Sequence, residues 1–83
     1  MVTVQTINGI RVVIYSNDHR PAHVHVISDE HEAVFKLNCP SGPPTLRQNF
    51  GFSAAQLRKI LAALITNLPH LCAEWSRIHG PYT

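Results

Sequence analysis

The apolar positions of this chain change period once. Up to about residue 38 they tend to alternate, and beyond residue 53 they recur every three or four residues. "VTVQTI" and "IRVVIYS" flank Asn8-Gly9, a pair in which both residues tolerate positive φ, the strongest short-range signal for a tight hairpin. The pattern predicts strands over 2–7 and 10–16, with Ile7 opposite Ile10 and Gln5 opposite Val12. One face then carries Ile7, Ile10, Val12 and Ile14, and the other Val2, Val4, Val13 and Tyr15. Both faces are largely apolar, so a second covering of this hairpin is expected, supplied by a partner subunit.

"NDHRPA" reads as a loop, in which Pro21 holds Arg20 extended. "HVHVIS" alternates again and predicts a strand over 22–28. "EAVFKLN" predicts a fourth over 32–38, with Ala33, Phe35 and Leu37 on one face and Glu32, Val34 and Lys36 on the other. "CPSGPPTLRQNFG" has no strong period and reads as a Pro/Gly-rich connection. Ser53 and Gln56 then form a capping-box pattern. Leu57, Ile60, Leu61, Leu64, Ile65, Leu68, Leu71, Trp75 and Ile78 make one apolar helical stripe. Pro69 lacks an N–H and clashes with the Ile65 carbonyl, so the segment is one kinked helix or two short ones with Asn67 as a cap. Gly80-Pro81 ends it. The expected fold is α+β: a single domain over 1–83, with about four antiparallel strands in two successive hairpins against a long C-terminal helix, ββββα.

Composition narrows the class without naming an activity. A chain of 83 residues with 45% hydrophobic content suits one small globular domain and argues against disorder. Its formal charge of +2 permits an anionic partner without demanding one. The two cysteines, Cys39 and Cys72, read as free thiols of a reducing cytoplasm, since no secretory leader is seen and secreted disulfide scaffolds carry more. The longest apolar run, over 60–65, is too short to cross a membrane.

The chemistry is concentrated in "SNDHRPAHVHVI", which holds three of the six histidines. His23 and His25 are two apart on a predicted strand and share a face, leaving Val24 and Val26 for the core. Asp18, His19 and Arg20 lie in the loop before them. Three readings fit. Imidazoles and a carboxylate can ligate zinc or another transition metal, with Asp18 or His19 joining His23 and His25, and His19, His23 and His25 as the preferred set. Two imidazoles near neutrality can share proton removal and donation on an RNA phosphodiester with no metal. There His19, His23, His25 and Asp18 would be catalytic, with Arg20 and Arg11 on phosphate. Third, the histidines can simply satisfy hydrogen bonds across the sheet or line a subunit interface. Elsewhere the bland reading is preferred. His31 is expected to be solvated, Arg58 and Lys59 form a helix surface, and Trp75 is a core anchor.

"YSNDHRPAHVHV", "EAVFKLN" and "GFSAAQLRKI … AEW" together resemble the bacterial domain of unknown function 4160 family along nearly the whole chain. Ala22, where a second proline is usual, and Pro69, where the helix usually continues, depart from that pattern. The resemblance implies a component of a two-gene, toxin–antitoxin-like module. It also implies a functional core at Asp18, His19, His23 and His25. On this basis the expected protein is cytoplasmic and homo-oligomeric. It would bind or cleave RNA and pair with a small antitoxin-like partner, without membrane or cofactor. The alternative is a non-enzymatic metal-binding or protein-interaction module using the same histidine face.

Overall fold

The computed structural model describes residues 1–82. Five strands precede two helices: β1 (Val2–Ile7), β2 (Ile10–Ile14), β3 (His23–Ile27), β4 (Glu32–Lys36), β5 (Thr45–Phe50), α1 (Ala54–Thr66) and α2 (Leu68–His79). The strands form one antiparallel meander in the order β1-β2-β3-β4-β5. The α+β class therefore holds, with one more strand than the pattern of apolar residues indicates.

The first hairpin has the expected register, Ile7 opposite Ile10 and Gln5 opposite Val12. Asn8 at φ 47° and Gly9 at φ 83° make the two-residue turn that this register requires. Beyond Gln5 the ladder slips by one residue, so that Thr3 faces Val13 and Val2 faces Ile14. A bulge of this kind turns the residues beyond it onto the opposite face. Val4 joins the core and Val2 packs against it, correcting the expectation that both lie on the far side with Val13. The far face is less apolar than a regular ladder would make it, which removes the reason for expecting a covering subunit there.

The fifth strand, "TLRQNF", was hidden because every one of its residues is exposed. It is an edge strand with a register slip between its partners Val34 and Phe35, so no burial alternation marks it. Gly51, at φ 108°, turns the chain from β5 into α1, and a Cβ there would collide with the His31 ring. That ring packs on Phe52 at 5.4 Å, so His31 is half-buried rather than solvated.

The Ser53 hydroxyl accepts the Gln56 N–H at 3.1 Å, and the Gln56 side chain accepts the Ser53 N–H at 2.9 Å, the reciprocal capping box the sequence predicts. The helical stretch resolves into two helices. Pro69 falls in the first turn of α2, where its missing N–H would have no partner anyway. Asn67 stands between the helices, but its amide donates to Gln5 Oε1 at 3.2 Å instead of capping α2. Gln5 in turn donates to the Ala63 carbonyl, fixing the helix junction to β1. Ile60, Leu64, Leu71 and Trp75 bury completely against Val12, Ile14, Val24, Val26 and Phe35.

Cys39 and Cys72 are not free thiols. They form a disulfide, with Cα atoms 5.8 Å apart, tying the chain after β4 to α2. The expectation failed because a count of two cysteines does not tell which residues the fold brings together, and across a sequence separation of 33 the chain returns α2 beside the end of β4. Neither described helix is long and apolar enough to cross a membrane.

Candidate functional site

The alternation of β3 does what the sequence implies. Val24 and Val26 are fully buried in the core cluster, and His23 and His25 point to the other side. That side is not open at this place. The loop between β2 and β3 folds back, and its Asp18 carboxylate meets both rings. Side-chain exposures are 11% for Asp18, 9% for His23 and 16% for His25. Neither of two surface cavities, of about 360 and 250 Å³, is lined by any of the three.

The hydrogen-bond pattern assigns the nitrogens of one ring, that of His23. His23 Nδ1–H donates to the Pro21 carbonyl at 2.9 Å, since a carbonyl can only accept. His25 lies between two carboxylates, with Nδ1 3.4 Å from Glu32 Oε2 and Nε2 3.1 Å from Asp18 Oδ1; both only accept, so a neutral ring donates to one or the other. Both Nδ1 atoms are thereby directed outward. Both Nε2 atoms turn toward one oxygen, Asp18 Oδ1, at 3.4 Å from His23 and 3.1 Å from His25. The other oxygen, Oδ2, accepts the Tyr15 N–H at 2.9 Å, which fixes the carboxylate to the loop.

An outer layer holds this group. The Tyr15 ring meets His25 edge-on, with centroids 4.7 Å apart. Trp75 lies 5.3 Å from His23 and 4.3 Å from His79. His79 Nε2–H donates to the Tyr15 carbonyl at 3.0 Å, joining the end of α2 to the start of the loop. Trp75 is thus the core anchor the sequence suggests and also a wall of the site.

The structure joins Asp18, His23 and His25, with one ligand atom from each lying within 4.8 Å of the others. It does not add His19, which is exposed and outside this group. Arg20 is exposed in the same loop, and Arg11 is exposed on β2, opposite Ile27. Sequence reasoning missed Glu32, the Pro21 carbonyl and His79. For Glu32 a signal existed: it shares a face of β4 with Val34, which pairs with His25. Nothing in the pattern points to the other two.

The arrangement has a definite chemical demand. A neutral imidazole with Nδ1–H presents a bare lone pair at Nε2. His23 Nε2 carries such a lone pair, His25 Nε2 carries one when the ring's proton sits on Nδ1 toward Glu32, and both face a carboxylate oxygen in a nearly closed space. A positive species must lie among them, either protons on the nitrogens or a metal cation. A tetrahedral ion with bonds of about 2.0–2.1 Å sets its ligand atoms about 3.3–3.4 Å apart. The two nitrogen–oxygen separations, 3.1 and 3.4 Å, are close to that spacing.

No curated protein and no solved structure matches the chain. A family model does match, over residues 9–76, and it spans β2 to most of α2, including every residue of the cluster. The chain belongs to the family described as domain of unknown function DUF4160.

Proposed function

We propose that this protein binds one divalent transition-metal ion, of the zinc type, through His23 Nε2, His25 Nε2 and Asp18. The observation that carries this reading is the direction of the rings. The Pro21 carbonyl accepts from His23 Nδ1 at 2.9 Å, the Glu32 carboxylate faces His25 Nδ1 at 3.4 Å, and both Nε2 atoms converge on the same carboxylate oxygen. Metal-ligating histidines characteristically donate their second nitrogen to a carbonyl or carboxylate in this way, which fixes the tautomer and raises ligand basicity. Of the two ligands that the sequence offers beside His23 and His25, this reading takes Asp18 and leaves out His19. Two imidazoles and a carboxylate leave a fourth position for water or a partner group.

Binding or cleavage of RNA by the same histidines is the second reading, favoured by exposed His19 and Arg20 in the loop, whereas Arg11 lies at the other end of β2, opposite Ile27. His23 is 7% exposed, so it reaches a ribose phosphate only if the loop over it moves. A toxin-like role, a small companion protein, self-association and a cytoplasmic home belong with this reading. The Cys39–Cys72 bond withdraws the support that free thiols lent to the last of these.

Metal content and growth decide between the two. Untagged protein is purified and its bound metal counted, in the wild type and in His25→Ala. One ion per chain, lost in the variant, supports the metal reading. Metal-free protein whose induction halts growth, with relief in a folded His25→Ala chain, favours the RNA reading.

A further inference from the structure

We infer that the Cys39–Cys72 disulfide is a thiol-operated control on the Asp18–His23–His25 site, opened through a cavity that accepts a small anionic thiol. The inference rests on the metal reading above and adds its regulation.

The cavity, of about 250 Å³, is lined by Pro21, Ala22, Lys36, Asn38, Cys39 and Tyr82. It gives the disulfide one accessible side. Cys39 is partly exposed and lines the wall, whereas Cys72 is 3% exposed. A thiolate entering here comes to the Cys39 side of the bond. The Lys36 ammonium, on the same wall, attracts an entering molecule that carries a second negative charge.

The exchange is the ordinary two-step one. The thiolate bonds to Cys39 Sγ, the S–S electron pair leaves with Cys72 Sγ, and that sulfur takes up a proton. A second thiolate attacks the small-molecule sulfur of the mixed disulfide and releases Cys39 as a thiol after proton uptake. In sum, the protein disulfide and two thiols give two cysteine thiols and one small disulfide.

Both ends of the bond lie next to the seat of His23. Cys72 is one helical turn before Trp75, whose ring packs 5.3 Å from His23. Further along α2, His79 bonds the Tyr15 carbonyl, and the Tyr15 N–H holds Asp18. On the other side, Cys39 is two residues after Leu37, whose N–H donates to the Ala22 carbonyl. Ala22 stands between Pro21, the acceptor for His23 Nδ1–H, and His23 itself. The Ala22 N–H donates to Tyr82, which forms part of the cavity wall. The disulfide thus clamps α2 and the end of β4 together around the first ligand. Opening it loosens the partners that orient His23, and loss of such partners typically weakens metal binding about 10- to 100-fold.

Three measurements test this. First, adduct formation is followed by mass spectrometry with mercaptoethanesulfonate and with neutral mercaptoethanol. The adduct is expected on Cys39, several-fold faster with the anionic thiol, and the preference should vanish in Lys36→Glu. An adduct on Cys72, or equal rates in the wild type, overturns the cavity route. Second, Co²⁺ affinity is compared between the oxidised wild type and a Cys39→Ser/Cys72→Ser chain, which has no thiols to bind the ion. At least tenfold weaker binding is expected, and equal affinity overturns the coupling.

Third, reciprocity requires saturating Zn²⁺ to hold the wild-type disulfide more oxidised than that of Asp18→Ala by the same factor, the Asp18→Ala chain accounting for Zn²⁺ taken by the freed thiols. This holds even if the serine variant does not fold. A wild-type equilibrium no more oxidised than that of Asp18→Ala overturns the control. Failure of the oxidised wild type to bind Co²⁺ at all is a different result, which removes the metal reading itself.

Discussion

Replacing Asp18 by alanine is expected to destabilise the metal-free protein by about 3 kcal/mol. The perturbation removes a carboxylate whose side chain is 11% exposed. Its Oδ2 accepts the Tyr15 N–H at 2.9 Å, and its Oδ1 meets His25 Nε2 at 3.1 Å. A hydrogen bond to a charged group is worth about 1.5–3 kcal/mol net, and two that share one carboxylate do not add fully. The 3.4 Å approach to His23 is too long for a good hydrogen bond and contributes only Coulomb attraction. Desolvation of the carboxylate offsets part of the gain, which leaves the figure of about 3 kcal/mol. For a domain of this size that is a fall in Tm of roughly 12–24 °C.

Asp18→Asn separates the two halves of the effect. Its amide oxygen can still accept the Tyr15 N–H, so about half of the loss is expected. The assay is urea unfolding followed by far-UV circular dichroism, with a chelator present throughout. An alanine variant within about 0.5 kcal/mol of the wild type would refute the reasoning. It would mean that the cluster contributes nothing to the fold and that the loop is held by other contacts.

Other consequences can be checked together. Cys39→Ser/Cys72→Ser removes a closure across 33 residues, for which chain entropy gives a loss of about 4 kcal/mol; an unchanged urea midpoint would show that the bond does not constrain the unfolded chain. Glu32→Gln removes the charge that holds His25 Nδ1 and should weaken metal binding about tenfold with little effect on metal-free stability; a parallel titration of both chains reads this. Arg77 hydrogen-bonds Glu74 on the exposed side of α2 and holds its carboxyl below the usual range. A carboxyl lowered in this way stabilises the fold above its unfolded-state value, and the effect disappears as pH falls through the lowered one. The pair is solvent-screened, so Arg77→Ala should leave the neutral-pH Tm nearly unchanged and slightly flatten its acid dependence.

Much of the site was legible where period and chemistry coincide. The alternation of Val24 and Val26 with His23 and His25 follows from strand geometry alone, and the fold keeps it. The capping box at Ser53 and the hairpin register at Asn8-Gly9 are local rules that nothing in the tertiary structure overrides. Other features depend on interactions that no local window contains. β5 lies at a sheet edge with all its side chains exposed, so burial writes no pattern into "TLRQNF". The bulge near Val4 reversed a face assignment that perfect alternation would have made correct. The disulfide joins residues 33 apart, and a count of two cysteines does not reveal their proximity. Within the site, the sequence left Asp18 and His19 as alternatives, and the fold of the loop, with Asp18 held by the Tyr15 N–H, brings Asp18 to the rings.

The central claim is that His23, His25 and Asp18 form one metal centre, and a Co²⁺ titration of the oxidised, untagged protein tests it most directly. The ion is colourimetric and reports its own geometry. The account predicts saturation at one ion per chain with the visible bands of a tetrahedral centre, displaced by Zn²⁺ and abolished in His23→Ala, His25→Ala and Asp18→Ala. Acidification should also reverse binding, because protons compete for the same Nε2 lone pairs. Absence of those bands in a folded wild-type chain, or bands that survive in all three variants, would contradict it.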